Sequence, residues 1–284
     1  MTASLDPSPA VRAQRAPAAE PALAAATVPA APGPRDAGGE ALAAIDFSRV
    51  TLAFGNGAPV LHDLTLQVRR GELVSLVGPS GCGKSTLLRL VAGFLAPSAG
   101  SVALRGRGLG YVFQEPTLLP WRTVLDNVEL PSALAGAPRA QRRERALAAL
   151  ARVGLAGCET RRPAELSGGM RMRVSIARAL MLEPDVFLFD EPFGALDEIT
   201  RERLHEQVVA LFGDEPFAGL FVTHSVPEAV FLSTRVIVMS KNPGRIAAEF
   251  EVPFSWPRAP ELRYRPEFAA LAGRVSQTLR QVAS

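Results

Sequence analysis

Polar and apolar positions alternate from Ile45 to Leu52 and again from Val60 to Val68. That is the period of strands buried on one face, and it predicts two antiparallel strands. Further on the pattern changes. Leu73–Val77, Val186–Phe189 and Gly219–Val222 are short, nearly unbroken apolar runs, as expected for central strands of a parallel sheet covered on both faces. Shorter strands are predicted at 101–105, 109–113, 235–239 and 245–252. Helical spacing follows Thr86, in Leu87, Leu88, Leu90 and Val91, and returns from Arg171 to Leu182. Residues 124–157 read as largely helical. Val124, Val128 and Leu130 lie on a first short segment, and Pro131 and Pro138 separate it from the next. Leu147, Leu150 and Val153 mark the apolar face of that longer helix, with Arg142–Arg145 on its solvated face. After Pro266, Phe268, Leu271, Val275 and Leu279 form one face of a last helix. The fold class is α/β.

Residues 1–43 carry almost none of this patterning. They are rich in Ala and Pro with few large apolar side chains, too little to offset the entropy of ordering, and are expected to be a disordered tail. Arg12 and Arg15 precede an alanine-rich stretch in the manner of a signal peptide, but prolines at 17, 21, 29, 32 and 34 interrupt it. Over the 284 residues, 48% are hydrophobic and 21% charged, the balance of a globular protein. No apolar window of membrane-spanning length occurs. The net charge of +3 is not gathered into a tract, which argues against nucleic acid and leaves an anionic nucleotide or a membrane surface open. Cys82 and Cys158 are too few for a disulfide framework and suit a reducing compartment.

Chemistry is concentrated in Gly78-Pro79-Ser80-Gly81-Cys82-Gly83-Lys84-Ser85-Thr86. Strand, G-x-x-x-x-G-K-S, then helix is the context of a phosphate-binding loop. Glycines let successive N–H groups point inward, and the helix N-terminus adds positive potential. Lys84 is placed for the β- and γ-phosphates of a nucleotide and Ser85 for a Mg²⁺ ion. Of 31 basic residues only Lys84 and Lys241 are lysine, so a chain that uses arginine nearly everywhere has a compact ammonium here.

Other candidates fall at strand ends and turns. Phe54 lies 24 residues before Gly78, where an aromatic either stacks on an adenine face or packs on the two strands. Gln114 directly follows a strand and is placed for Mg²⁺ or the attacking water. Ser167, Gly168 and Gly169 precede a helix, a second anion-receptive N-terminus roughly 80 residues from the first; an ordinary helix cap is the alternative. Asp190 and Glu191 end an apolar strand at the carboxyl edge, where such sheets bind ligands. Asp190 suits Mg²⁺ and Glu191 suits polarising or deprotonating the attacking water. His224 closes another strand at the same edge, within reach of a γ-phosphate.

Phe54, the loop at 78–86, Gln114, Leu166-Ser167-Gly168-Gly169, Asp190-Glu191, Leu196-Asp197 and His224 stand in an order that resembles the ATP-binding subunits of ABC transporters, over about residues 45–252. The resemblance implies a P-loop NTPase with a mixed β core, an antiparallel β subdomain and a helical subdomain at about 115–170, all within 44–252, followed by an extension with one helix at 253–284. It implies ATP and Mg²⁺ as cofactors, and Asp197 as part of the nucleotide site. It also implies a homodimer in which the Ser167–Gly169 motif of one chain completes the site of the other. Transmembrane permease subunits, an indirect periplasmic solute-binding protein and a peripheral place on the cytoplasmic face of the inner membrane follow in the same way. Phe113–Trp121, Met170 and Asn242-Pro243-Gly244-Arg245-Ile246 look like the nitrate, sulfonate and taurine importer group, although Met170 stands where a glutamine is usual. The competing class is an ABC-type ATPase outside transport, or a P-loop kinase. It lacks support here: there is no long coiled coil, no second cassette, and a kinase has no use for both Ser167–Gly169 and His224.

Overall fold

The computed structural model describes residues 43–55, 57–214 and 217–283; the expected tail lies outside them except for Ala43. Strands β1 (Ala43–Ala53) and β2 (Pro59–Arg69) pair antiparallel, and β4 (Ala99–Leu104) pairs antiparallel on the other side of β1. A six-stranded sheet has the order β5-β6-β7-β3-β8-β9. Its members are β3 (Leu73–Val77), β5 (Leu109–Val112), β6 (Val186–Asp190), β7 (Ala218–Val222), β8 (Arg235–Ser240) and β9 (Arg245–Glu251). All its neighbours are parallel except β8 and β9. This is the mixed core and the separate antiparallel sheet that the resemblance implies, with β1 and β2 paired as the alternation predicts.

The unbroken apolar runs have the expected cause. Val186 and Leu188 of β6 point into a core shared with β1, β2 and helix α1 (Lys84–Val91). Phe187 and Phe189 point the other way, toward the remaining helices. Both faces are therefore dry, and every position of β6 up to Phe189 must be apolar.

Helix α2 (Val124–Leu134) begins with a capping box between Thr123 and Asp126 and does not stop at Pro131. Proline removes one donor, yet the turn closes beyond it, with Ala135 N–H bonded to the Pro131 carbonyl at 3.0 Å. Pro138 does mark a start, at the head of α3 (Arg139–Arg152). The buried face of α3 is Ala146, Ala149 and Leu150, leading to Val153, whereas Leu147 is exposed. Small alanines let α3 approach α2 and α4 (Gly168–Leu180), against which it packs.

Helices α5 (Glu198–Asp214) and α6 (Val226–Leu232) flank β7, and α7 (Pro266–Ala283) closes the chain over α6 and β8. The segment leading to α7 is clamped by two arginines. Buried Arg258 donates to the Val230, Phe231 and Phe254 carbonyls at 3.0, 2.6 and 3.2 Å. Arg263 lies over the Phe231 ring and bonds His205 Nδ1 at 3.1 Å, while His205 Nε2 meets Glu228 at 2.7 Å. Because Arg263 can only donate, Nδ1 accepts and the ring proton sits on Nε2.

Candidate functional site

The phosphate loop runs from the end of β3 into α1. Gly81 and Gly83 take φ of 79° and 98°, which a residue with a Cβ adopts only under strain. Gly78 has a different reason to be glycine: a Cβ there would lie 2.8 Å from both the Cys82 sulfur and the Met239 carbonyl. Lys84 is buried, and its ammonium donates to the Gly78 and Pro79 carbonyls at 2.8 and 3.1 Å, folded back into the loop. Cys82 is buried behind it. Burial pushes its thiol pKa up and the nearby Lys84 charge offsets this only in part. Ser80, Gly81, Gly83, Lys84, Ser85 and Thr86 line a cleft of about 230 Å³ together with Val60 and Glu191.

The carboxyl end of β6 faces this loop. Ser85 donates to Asp190 Oδ1 at 2.7 Å, and the Tyr111 hydroxyl reaches Asp190 Oδ2 at 3.3 Å. Burial and the Asp190 carboxylate both push the tyrosine pKa up, so it stays a neutral donor. A hydroxyl beside a carboxylate is the hard-oxygen pair that Mg²⁺ takes when phosphates and water supply its other ligands. Among the described residues no cluster of three His, Cys, Asp or Glu could hold a metal ion.

Glu191 adopts a φ of 45°. A non-glycine residue in the left-handed region is uncommon and held by its surroundings. Here its N–H bonds the Val222 carbonyl at 3.0 Å, its own carbonyl accepts from Gly194 at 3.3 Å, and its carboxylate lines the cleft. His224 Nδ1 stands 3.2 Å from Glu191 Oε2, with a largely exposed ring.

The remaining candidates are outside the cleft lining. Phe54 is 56% exposed at the turn between β1 and β2. Gln114 is exposed just after β5. Ser167 caps α4, its Oγ accepting from Met170 N–H at 3.3 Å, and is exposed. Gly168 and Gly169 lie under the next turn of chain: a Cβ on Gly168 would be 3.3 Å from Leu196, and one on Gly169 would collide with Thr200. Asp197 in turn caps α5 through Thr200 N–H at 3.0 Å, which lowers its pKa. Ser167–Gly169 and Leu196–Asp197 therefore form one packed piece. Met170 packs against the main core, an apolar role that a glutamine would not fill.

Sequence reasoning missed three residues around these, Tyr111, Asn127 and Arg178, and gave Gly244 no structural role. Tyr111 ends within an ordinary strand pattern. Buried Asn127 accepts from Leu119 N–H at 2.7 Å and donates to the Leu119 and Thr123 carbonyls at 3.1 and 2.9 Å, so it shapes the loop that carries Trp121. Its signal was a polar residue at an inward helix position. Arg178 of α4 holds the Pro116 and Thr117 carbonyls at 2.8 and 2.9 Å. Gly244, in the turn before β9, accepts from His62 N–H and would collide through a Cβ with the Cys82 carbonyl. The Asn242–Ile246 wording is thus the brace behind the phosphate loop.

Residues 61–194 match the family model described as ABC transporter. The taurine import ATP-binding protein TauB of Yersinia pestis is 47% identical over 205 residues, 70% of this chain and 80% of that protein. The dimeric structure of MJ0796, a bacterial ABC transporter cassette, matches with a TM-score of 0.65 and 32% identity, over 74% of this chain and 100% of that one. A post-hydrolysis dimer of MJ0796 bound to ADP and Pi matches with a TM-score of 0.64 and 31% identity over the same shares.

Proposed function

This chain belongs to the ABC transporter family and is an ATPase of that family, and from that premise we propose that it powers uptake of a small solute, a sulfonate such as taurine or a related anion such as nitrate, through a separate membrane permease. The solute class is supported by the TauB relative and by the Phe113–Trp121 and Asn242–Ile246 segments. Among the described residues no helix is long and apolar enough to cross a membrane, which is compatible with a subunit that docks peripherally at the cytoplasmic face.

The single observation that carries the mechanistic reading is the meeting of Ser85, Asp190, Glu191 and His224 at the mouth of the phosphate loop. Backbone N–H groups of 78–86 and the start of α1 hold the phosphates, and Lys84 turns from its two carbonyls to the β- and γ-oxygens. Ser85 and Asp190, with Gln114, hold Mg²⁺, which when bound neutralises charge on the phosphates. Glu191 orients and polarises the attacking water. His224 fixes the Glu191 carboxylate and reaches the γ-phosphate. Phe54 stacks on the adenine. Ser167, Gly168, Gly169 and Asp197 complete the site of a second copy.

Removing a group that acts only in the transition state lowers kcat and spares binding. Glu191→Gln is therefore expected to hydrolyse ATP about 10²–10⁴-fold more slowly while binding it within a few-fold of normal. Lys84→Ala is expected to lose binding itself. Unimpaired turnover by Glu191→Gln would remove it from this role. Copurification with a permease separates import from an ATPase acting elsewhere.

A further inference from the structure

The two carboxylate oxygens of Asp190 meet different partners. Oδ1 accepts from Ser85, a residue of the phosphate loop, at 2.7 Å, and Oδ2 accepts from the Tyr111 hydroxyl at 3.3 Å. The end torsion of an aspartate is broad and roughly two-fold. Nothing in the side chain itself therefore decides which oxygen faces the loop, and Ser85 could bond either one. An ionised carboxylate only accepts, whereas a phenol can donate. A second donor on the far oxygen fixes the rotation that Ser85 alone leaves open.

Strand register delivers that donor. β5 and β6 run parallel with Tyr111 opposite Leu188. Asp190 lies two residues past Leu188 and so on the same face of β6, and the length of a tyrosine spans that step along the neighbouring strand. The ring is half-buried and its direction is set by two others. It stacks on Phe113 with centroids 4.1 Å apart and planes at 18°, and on Phe94, in the turn after α1, at 6.1 Å and 25°. Such pairs favour defined ring orientations, so the hydroxyl is aimed before any ligand arrives. Tyr111 does not line the phosphate-loop cleft. Whatever it does there, it does through Asp190.

We propose that Tyr111 is a positioning residue for Mg²⁺: its hydroxyl holds Oδ2, so that Oδ1, beside Ser85, is the oxygen presented to the ion. This rests on the reading of Ser85 and Asp190 as the Mg²⁺ site. Groups that hydrogen-bond a metal ligand from behind typically change metal affinity or activity by about 10–100-fold. A phenylalanine at 111 would keep the stacking and leave the carboxylate free to turn.

The non-hydrolysable ATP analogue AMP-PNP, titrated calorimetrically into the full chain in EDTA and again in excess Mg²⁺, tests it without turnover. The ratio of the two Kd values measures how far Mg²⁺ strengthens nucleotide binding. In Tyr111→Phe that ratio should fall about tenfold, while the affinity in EDTA and the melting temperature stay at the parent's values. A parental ratio in Tyr111→Phe would overturn the proposal. So would an equal loss of affinity with and without Mg²⁺, which would make Tyr111 a packing residue. Asp190→Asn keeps this inference apart from the reading beneath it and should itself lose most of the ratio. If it does not, or if Mg²⁺ fails to strengthen binding to the parent, the Mg²⁺ site is wrong and the role of Tyr111 falls with it. If Asp190→Asn loses the ratio and Tyr111→Phe keeps it, only the role of Tyr111 falls. Because Tyr111 acts through Asp190, the double variant should have the ratio of Asp190→Asn alone. Losses that add would place the action of Tyr111 elsewhere and reject the proposal.

Discussion

Gly244 and Cys82 show how closely the phosphate loop is held by residues that never face a nucleotide. A methyl group at 244 would press on the backbone carbonyls of Cys82 and Val60, neither of which can swing aside as a side chain can. Gly244→Ala is expected to cost about 1–3 kcal/mol, the usual range for overpacking, and to weaken ATP binding because the loop must shift. Gly213→Ala is the control. Nothing lies within 4 Å of a Cβ there, and in helix α5 alanine should be neutral or stabilising by up to about 1 kcal/mol. Thermal melts and nucleotide titration separate the two variants. Cys82 offers a chemical check on the same burial. Its raised pKa keeps the thiol protonated near neutral pH, so iodoacetamide should modify the half-buried Cys158 first. Preferential labelling of Cys82 would mean that the loop opens far more than its packing suggests.

At the scale of elements, the segment Gln114–Trp121 is a loop held on two sides and left bare at its tip. Asn127 from α2 and Arg178 from α4 pin its backbone, while Trp121 is 70% exposed. A tryptophan presented on a rigid frame is the form that interface anchors take. Trp121→Ala should leave the stability of the isolated subunit within about 0.5 kcal/mol and reduce its recovery with the permease. Asn127→Ala should instead destabilise the subunit by about 1–3 kcal/mol, because buried backbone groups of the loop lose their partner. Equal melting losses for both variants would show Trp121 to be a packing residue. Strands and phosphate loop were legible beforehand because their signals are local. Two-sided burial forces unbroken apolar runs in β3, β6 and β7, and a tight anion cradle forces glycines at fixed spacing. Helix limits were less legible. Pro131 reads as a break, but tertiary packing carries α2 through it. Leu147 reads as core, but α3 turns its alanines inward. Arg178 and Tyr111 were invisible because their partners are far away in the chain, whereas Asn127 showed as a polar residue at an inward helix position but its loop-backbone partners did not.

For the whole molecule, the decisive question is where Ser167 acts. Within one chain the phosphate-loop cleft is lined without Ser167, Gly168 or Gly169. Ser167 is exposed at the head of α4, and the glycines behind it are packed against Leu196 and Thr200. An exposed motif on a fixed support is suited to meeting a surface of another copy, and a two-fold interface would present it to each cleft in turn. MJ0796, a similar cassette, has a dimeric structure. Mixing two damaged chains tests it. Lys84→Ala removes the loop's ammonium, and Ser167→Arg places a bulky cation on the exposed cap, where the lost cap itself should cost only about 0.5–2 kcal/mol. Each variant alone should fail to dimerise on ATP. If Ser167 serves the partner's cleft, a mixed dimer collects both lesions in one site and leaves the other intact. ATP-dependent dimerisation, measured by light scattering, should then return only on mixing. If Ser167 serves its own chain, every site in the mixture carries a lesion. Lack of recovery between chains shown to exchange would reject the shared site.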